Sequence, residues 1–232
     1  MRDKKIQLPN LWLDWLKGDL EKITSAAAKD FWPVPNTPDC AFFNYRLEHV
    51  LQVERDAVTL AGSIAGDEDV ILAAVWIHDR FQPAFSGERH GSRAATWAKE
   101  NLALIGFPQN KVQMVCQAVE NHSSPPGALR SEIVEARIIW DADKLSHLGS
   151  FEILVNIFNN ISNDRLFRVR GDIKSNSDES VMDFLWNNCF LSLNIAPDIS
   201  QMFYFKESQI LAKQRIQAQR AFVRCLGRQI NR

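Results

Sequence analysis

The sequence has no cysteine cluster, no long apolar run and no excess of either charge, and each absence excludes a class of protein. Its four cysteines are scattered and form no CxxC pair, which argues against a disulfide scaffold or a thiolate metal site. The longest apolar stretch, residues 70–77, is far too short to cross a bilayer. A formal net charge of -1 gives no global field that would recruit a nucleic-acid duplex or an anionic membrane.

Targeting signals are missing as well. The first residues contain no apolar segment followed by a small-residue cleavage site, so we expect no signal peptide. Scattered cysteines are typical of a reducing compartment. Together these absences favour a cytoplasmic protein without a membrane partner.

The sequence does contain enough apolar residues, 46% of the chain, to bury a sizeable core. In most segments they recur at helical spacing, so we predict an all-α fold. The predicted helices cover residues 10–29, 41–65, 68–79, 89–104, 109–121, 131–148, 180–195 and 198–228. The β-branched residues before Trp140 also suit a short strand, for which nothing supplies a partner strand.

This pattern divides the chain into three parts. Residues 1–40 hold an N-terminal helix and a proline-rich linker, and residues 41–160 form the core. Residues 161–232 contain a loop and C-terminal helices that pack on the core. The polar stretch 161–180 predicts a long loop, with a lid as one interpretation. The terminal helices suit either packing on the core or formation of a homodimer.

Side chains that bind metals stand at or near one end of three separate apolar segments. The pair His78–Asp79 ends the run of residues 70–77, His49 lies on an amphipathic helix upstream, and Asp143 follows another apolar run. Charged groups at the mouth of a buried helix are costly unless they are paired or bound to a cation. If these ends converge, two imidazoles and two carboxylates surround one point. Mixed nitrogen and oxygen donors predict a divalent metal, namely Mn, Fe, Co, Ni, Zn or Mg, which acidifies a bound water near neutral pH.

The order His49, His78–Asp79, Asp143 resembles the H…HD…D signature of the HD phosphohydrolase superfamily. The local segments YRLEHV, AAVWIHD and DADKL resemble those of the family too. The resemblance covers roughly residues 41–160. It implies an all-α HD-domain bundle of about five core helices, here with additional N- and C-terminal helices, and with the metal at its centre.

The DADKL segment leaves two candidates for the last metal ligand. Asp141 and Asp143 stand two residues apart, so on a helix they point about 200° apart and cannot easily both face one metal. The resemblance implies Asp143, because the family ligand directly precedes the basic residue. Asp141 is then expected to support a ligand or to face another helix.

Two further histidines, His90 and His122, fall between the HD pair and the final aspartate. Some HD proteins have two histidines in this order and build a two-metal site. The resemblance therefore implies either a second metal or phosphate site here, or two histidines at the rim of the cleft that contact only water or substrate.

Positively charged residues beside the predicted ligands are expected to bind the substrate. Arg46 lies three residues before a ligand and shares its helix face, and Lys144 directly follows another. Arg80 and Arg89 adjoin the HD pair and the first of the two further histidines. We assign catalytic roles to Asp79, which would orient the attacking water, and to Arg46 and Lys144, which would hold the phosphoryl oxygens.

The resemblance thus implies a metal-dependent phosphohydrolase that acts on a phosphate ester or anhydride. The expected partner is a nucleotide or a similar small phosphorylated metabolite. Two alternatives stay open: a two-metal hydrolase of dinucleoside polyphosphates or cyclic dinucleotides, and a nucleotide-binding signalling module without turnover. The presence of all four predicted ligands argues against the signalling module.

Overall fold

A computed structural model describes residues 10–34, 37–82, 89–125, 132–149, 152–155, 157, 186 and 199–229. The α-helices whose bounds lie within these residues are α1 (Leu11–Phe31), α2 (Tyr45–Ala61), α3 (Glu68–Ile77), α4 (His90–Asn101), α5 (Val112–Glu120), α6 (Val134–Ser146) and α7 (Lys206–Gln229). Short 3-10 helices cover Leu102–Ile105, Gln109–Lys111 and Ser200–Met202. The predicted loop at 161–180 lies outside the described residues, as does the predicted helix at 180–195 except for Trp186. Each helix in the described ranges is too short or too polar to span a bilayer.

The proline-rich stretch contains a small β-ribbon where the sequence predicted only a linker. Strand β1 (Pro33–Val34) pairs antiparallel with β2 (Thr37–Ala41), and Val34 lies opposite Thr37. Proline is tolerated in such a ribbon because both strands are edges and need fewer ladder donors. Strands this short show too little alternation to be predicted from sequence.

Polar caps fix where two of the ligand-bearing helices begin. At the start of α2, the Asn44 side chain accepts a hydrogen bond from the backbone N–H of Leu47 at 3.2 Å. At the start of α3, the Asp67 carboxylate accepts one from the N–H of Val70 at 3.2 Å. Caps of this kind stabilise a helix by about 1 kcal/mol. By fixing where each helix begins, these caps help to set the direction in which its predicted ligands project.

Helix α3 lies at the centre of the bundle. Residues 70–77 are all buried, and the helix packs against α1, α2, α5 and α6. A helix that is apolar on all sides is stable only when other elements surround it. Its C-terminal end therefore opens between neighbouring helices and not into bulk solvent, and that is where the HD pair follows.

The C-terminal helix is joined to the core by a partly buried ion pair. Arg215 on α7 donates two hydrogen bonds to Asp56 on α2, at 2.8 and 2.5 Å, and one to the carbonyl oxygen of Leu145 on α6, at 2.7 Å. Bidentate arginine–carboxylate geometry is specific as well as strong. One α7 side chain thus holds α2 and α6, which carry two of the predicted ligands.

Candidate metal centre

The four predicted metal ligands meet at the C-terminal end of α3. His49 projects from α2, His78 and Asp79 from the turn after α3, and Asp143 from α6. Nε2 of His49 lies 3.3 Å from Nε2 of His78, 3.2 Å from Oδ2 of Asp79 and 3.3 Å from Oδ1 of Asp143. All four side chains are buried. The structure therefore brings together residues that are up to 94 positions apart in the sequence, 143 minus 49.

Hydrogen bonds at the other ring nitrogen leave both Nε2 atoms as acceptors. Nδ1 of His78 donates to the carbonyl oxygen of Val75 at 2.7 Å. Nδ1 of His49 lies 3.0 Å from Oγ of Ser146, which donates its own proton to the carbonyl oxygen of Asp143, 2.6 Å away. Two neutral imidazoles in these tautomers point lone pairs at each other across 3.3 Å. Only a positive species between them, a proton or a metal cation, removes the repulsion.

The separations of the donor atoms fit a metal. Ligand atoms about 2.1 Å from a common centre lie about 3.0 Å apart when adjacent and about 4.2 Å apart when opposite. Beyond the three contacts of His49, Nε2 of His78 lies 3.5 Å from Oδ2 of Asp79 and 4.0 Å from Oδ1 of Asp143. All of these distances fall in the range that a shared cation requires.

Burial and neighbouring charges keep the two carboxylates ionised. Burial alone would raise the pKa of Asp79, but the Arg46 guanidinium holds it well below its usual value. The same opposition acts on Asp143, where the Lys144 ammonium is the main group that lowers the pKa. Burial lowers the pKa of His78 to about 3, so this ring stays neutral and can bind a cation.

His49 shows where a proton and a metal would compete. Burial lowers the pKa of this imidazole, but hydrogen bonds to Asp143 and Asp79 outweigh it and raise the pKa. Among the predicted ligands, Nε2 of His49 is therefore the atom at which the two nearby carboxylates most favour a proton. Metal binding at this atom requires that the proton leaves.

Two of the predicted substrate-binding cations line the cleft. Arg46 is ion-paired with Asp79, and Nζ of Lys144 lies 2.8 Å from Oδ2 of Asp143. Arg46 is buried, and its Nε has no hydrogen-bond partner among the described residues. The Lys144 side chain is 24% exposed and so remains accessible from the cleft. Both positive charges therefore lie beside the predicted metal ligands.

His90 and His122 form a second group that shares Asp79 with the first. Their Nε2 atoms lie 3.0 Å apart, and they lie 3.6 and 3.4 Å from Oδ1 of Asp79. Nδ1 of His122 donates to the carbonyl oxygen of Val119 at 2.7 Å, so its Nε2 is also an acceptor. Each oxygen of Asp79 thus faces one pair of imidazoles, so Asp79 could contribute a ligand atom to either group.

The other two predicted substrate-binding cations, Arg80 and Arg89, do not line the cleft that holds Arg46 and Lys144. Arg80 is ion-paired with Asp19 of α1, and its guanidinium carbon lies 4.1 Å from the centre of the Trp97 ring. Arg89 lines a separate groove beside Trp97. Both residues adjoin predicted ligands in sequence, but successive side chains along a helix or turn point in different directions.

Asp141 faces away from the group of predicted metal ligands. Its carboxylate accepts hydrogen bonds from the backbone N–H groups of Tyr204 and Phe205, at 3.0 and 3.1 Å. Burial raises the pKa of Asp141 to about 6. Of the two acids left open by the sequence, only Asp143 therefore lies at the cluster, while Asp141 holds the segment that leads into α7.

Three residues of the site were not predicted from the sequence. Tyr45 lines the cleft one turn before His49, and the ring of His147 stacks on that of His49 with 5.2 Å between ring centres. Ser146 accepts the Nδ1 proton of His49. The available signal was spacing, because residues three and four positions from a ligand share its helix face.

Comparisons with known proteins relate the sequence to a family and the fold to solved structures. The family model of the HD domain matches residues 46–148. An HD-superfamily hydrolase from Bacillus thuringiensis has a TM-score of 0.58 at 14% identity, over 94% of this chain and 96% of that chain. A predicted HD superfamily hydrolase from an uncultured Thermotogales bacterium has a TM-score of 0.54 at 20% identity, over 90% of each chain. YpgQ of Bacillus subtilis, solved in complex with ADP, has a TM-score of 0.54 at 14% identity, over 94% of each chain.

No curated protein sequence matches the chain. At identities of 14 to 20%, the structural neighbours establish the fold and not the substrate. They confirm the predicted all-α helical bundle. The family match at residues 46–148 falls inside the predicted core of residues 41–160.

Proposed function

We propose that this chain uses a divalent metal to cleave a phosphate ester or anhydride of a nucleotide or small phosphorylated metabolite. The chain is an HD-type hydrolase, and its HD domain spans residues 46–148. The observation that carries the proposal is the buried group of His49, His78, Asp79 and Asp143, in which two imidazole lone pairs and two ionised carboxylates face one space. Arg46 and Lys144 each pair with one carboxylate, but they leave the two imidazole lone pairs facing each other, which a metal cation between the rings would satisfy.

The proposed chemistry divides between the metal and the side chains of the cleft. A divalent cation would supply an acidified water molecule near neutral pH and would neutralise charge on the phosphoryl group. Asp79 would orient that water, because its carboxylate faces both histidine pairs. Arg46 and Lys144, which line the same cleft, would hold the phosphoryl oxygens as charge develops on them.

The dimensions of the cleft support a small phosphorylated substrate. Its volume is about 280 Å³, near the lower end of the range for small-molecule sites. Its lining includes the cations Arg46 and Lys144 and the carboxylates Asp79 and Asp143, groups that can bind a phosphoryl group and a metal. That YpgQ, a structural neighbour, was solved in complex with ADP supports a nucleotide as the first substrate class to test.

A phosphate-release screen tests the proposal. The purified chain is incubated with nucleotides and sugar phosphates, with each divalent metal in turn. We expect metal-dependent release, and we expect the double variant His78→Ala, Asp79→Ala to lose it while its helical circular dichroism is retained. Arg89→Ala, outside the cleft, is the control and should remain active. Full activity of the double variant would remove the proposal, and release from none of the substrates while metal and nucleotide bind would favour a signalling module.

A second candidate function is a two-metal hydrolase of dinucleoside polyphosphates or cyclic dinucleotides. The observation that favours it is the second group, in which Nε2 of His90 and of His122 lie 3.6 and 3.4 Å from Oδ1 of Asp79. Metal analysis separates the candidates, since this one requires about two ions per chain and the first requires about one. His122→Ala should reduce the content from two ions to one if the second site is occupied.

A further inference from the structure

We infer that Ser146 is a positioning residue of the metal site: its hydroxyl fixes the tautomer of His49 and ties that ring to the backbone of Asp143. The inference rests on the proposed function, because it concerns how the proposed ligands are held. Ser146 itself touches neither substrate nor metal, so its role is to act through His49.

The direction of each hydrogen bond follows from the single proton of the Ser146 hydroxyl. Oγ lies 2.6 Å from the carbonyl oxygen of Asp143 and 3.0 Å from Nδ1 of His49. Two oxygens 2.6 Å apart repel unless a proton lies between them, so the hydroxyl donates to the carbonyl. Its oxygen then accepts from His49, which places the ring proton on Nδ1 and leaves Nε2 free to bind a cation.

This one hydroxyl connects ligands from two helices. His49 belongs to α2, whereas Ser146 and Asp143 lie one turn apart on α6. Ser146 is buried, so no bulk water replaces its oxygen as the acceptor for the imidazole N–H. Leaving that buried donor unpaired is costly, and the ring would escape the cost by protonating Nε2 or by rotating. Either change removes a metal ligand.

The position of the Ser146 hydroxyl is itself supported from outside the HD domain. Arg215 of α7 donates to the carbonyl oxygen of Leu145, the residue just before Ser146, at 2.7 Å. The same guanidinium is anchored by Asp56 on α2. The turn that carries Ser146 is therefore held against α2 by an ion pair, which keeps the distance between Oγ and the His49 ring short.

The test measures metal affinity and the tautomer of His49, not only activity. We expect Ser146→Ala to raise the dissociation constant for Mn²⁺ about 10- to 100-fold, the usual effect of removing a group that orients a histidine ligand. Isothermal titration calorimetry on the full chain gives this value. Ser146→Thr keeps the hydroxyl and should restore affinity. Thr59→Ala removes another helical hydroxyl bonded to a backbone carbonyl, far from any ligand, and should leave affinity unchanged.

The tautomer is measured on the unmodified chain, so the inference can be overturned even if the alanine variant does not fold. With ¹⁵N-labelled histidine and Zn²⁺, we expect the His49 resonances of a ring protonated at Nδ1. A ring protonated at Nε2, or unchanged Mn²⁺ affinity in a folded Ser146→Ala chain, would overturn the inference and leave the proposed function standing. Failure of the unmodified chain to bind any divalent metal would instead contradict the proposed function.

Discussion

Replacing Arg46 by methionine should destabilise the metal-free chain far more than the metal-loaded chain. The side chains of Arg46 and Asp79 are 4% and 5% exposed and form a direct ion pair. Removing one partner of a buried pair leaves an uncompensated charge, which costs about 3–5 kcal/mol. For a chain of this length, that loss corresponds to a fall in Tm of roughly 6–20 °C.

A bound divalent cation changes this outcome because it supplies positive charge to Asp79 directly. The unmodified chain is stabilised by the metal as well, so the loss becomes smaller only if the variant binds Mn²⁺ more tightly, and a recovery of about 4 kcal/mol corresponds to about 1,000-fold tighter binding. Because the unpaired Asp79 carboxylate should attract the cation more strongly, we expect the stability difference between Arg46→Met and the unmodified chain to be much smaller in excess Mn²⁺ than in EDTA. Urea unfolding followed by circular dichroism, in EDTA and in Mn²⁺, measures both free energies.

Arg80→Met provides the matched control for this measurement. It breaks an arginine–aspartate pair that lies outside the cleft, with Asp19 of α1. Its loss of stability should be the same in EDTA and in Mn²⁺. If Arg46→Met also lost the same free energy of unfolding under both conditions, Asp79 would not share its charge with a metal, and the argument would be refuted.

Three other substitutions test separate parts of the account. Asp141→Asn should leave the Mn²⁺ affinity measured by calorimetry unchanged. Burial raises the pKa of Asp141 in the folded chain to about 6, so its protonated form stabilises the fold below about pH 4. This contribution to the free energy of unfolding is lost as the pH rises through about 6. Urea unfolding across that range should show a fall in stability that the asparagine variant lacks. Lys144→Met should lower the rate of phosphate release about 100-fold, and an unchanged rate would exclude it from the mechanism. Gly91→Ala places a Cβ 2.7 Å from the carbonyl oxygen of Glu120, so it should lower the free energy of unfolding by about 1–3 kcal/mol, and unchanged stability in urea would contradict this. If the unmodified chain binds two ions, the resulting shift of α4 should also weaken the ion at His90.

The positions of the metal ligands could be predicted because each follows from a local pattern. An apolar helix that ends in His78 and Asp79 places polar groups where no water is available, and such groups need a cation or a partner. His49 lies on a helix with a clear apolar face, so its direction toward the core also follows from helical spacing. The sequence therefore predicts both the all-α class and the meeting of His49 with the HD pair.

The choice between Asp141 and Asp143 shows where local patterns stop. Both acids are buried on α6, and helical geometry says only that they face opposite ways. What settles the matter is that Asp141 binds the backbone of Tyr204 and Phe205, more than 60 positions later. No feature near Asp141 reveals that contact.

The position of Arg80 outside the cleft could not be predicted, for a related reason. It adjoins Asp79 in sequence, yet its side chain packs on Trp97 and pairs with Asp19 of α1. The partner of a long cationic side chain depends on which helix lies within its reach, and that depends on the packing of the whole bundle. By contrast, Ser146 could have been found from its three-residue spacing to Asp143.

The most direct test of the central claim is an anomalous difference map from crystals of the chain grown with Mn²⁺. The account predicts a peak within coordination distance, about 2.0–2.3 Å, of Nε2 of His49 and His78 and of carboxylate oxygens of Asp79 and Asp143. A map with no peak there, while Mn²⁺ binds elsewhere on the chain, would contradict it.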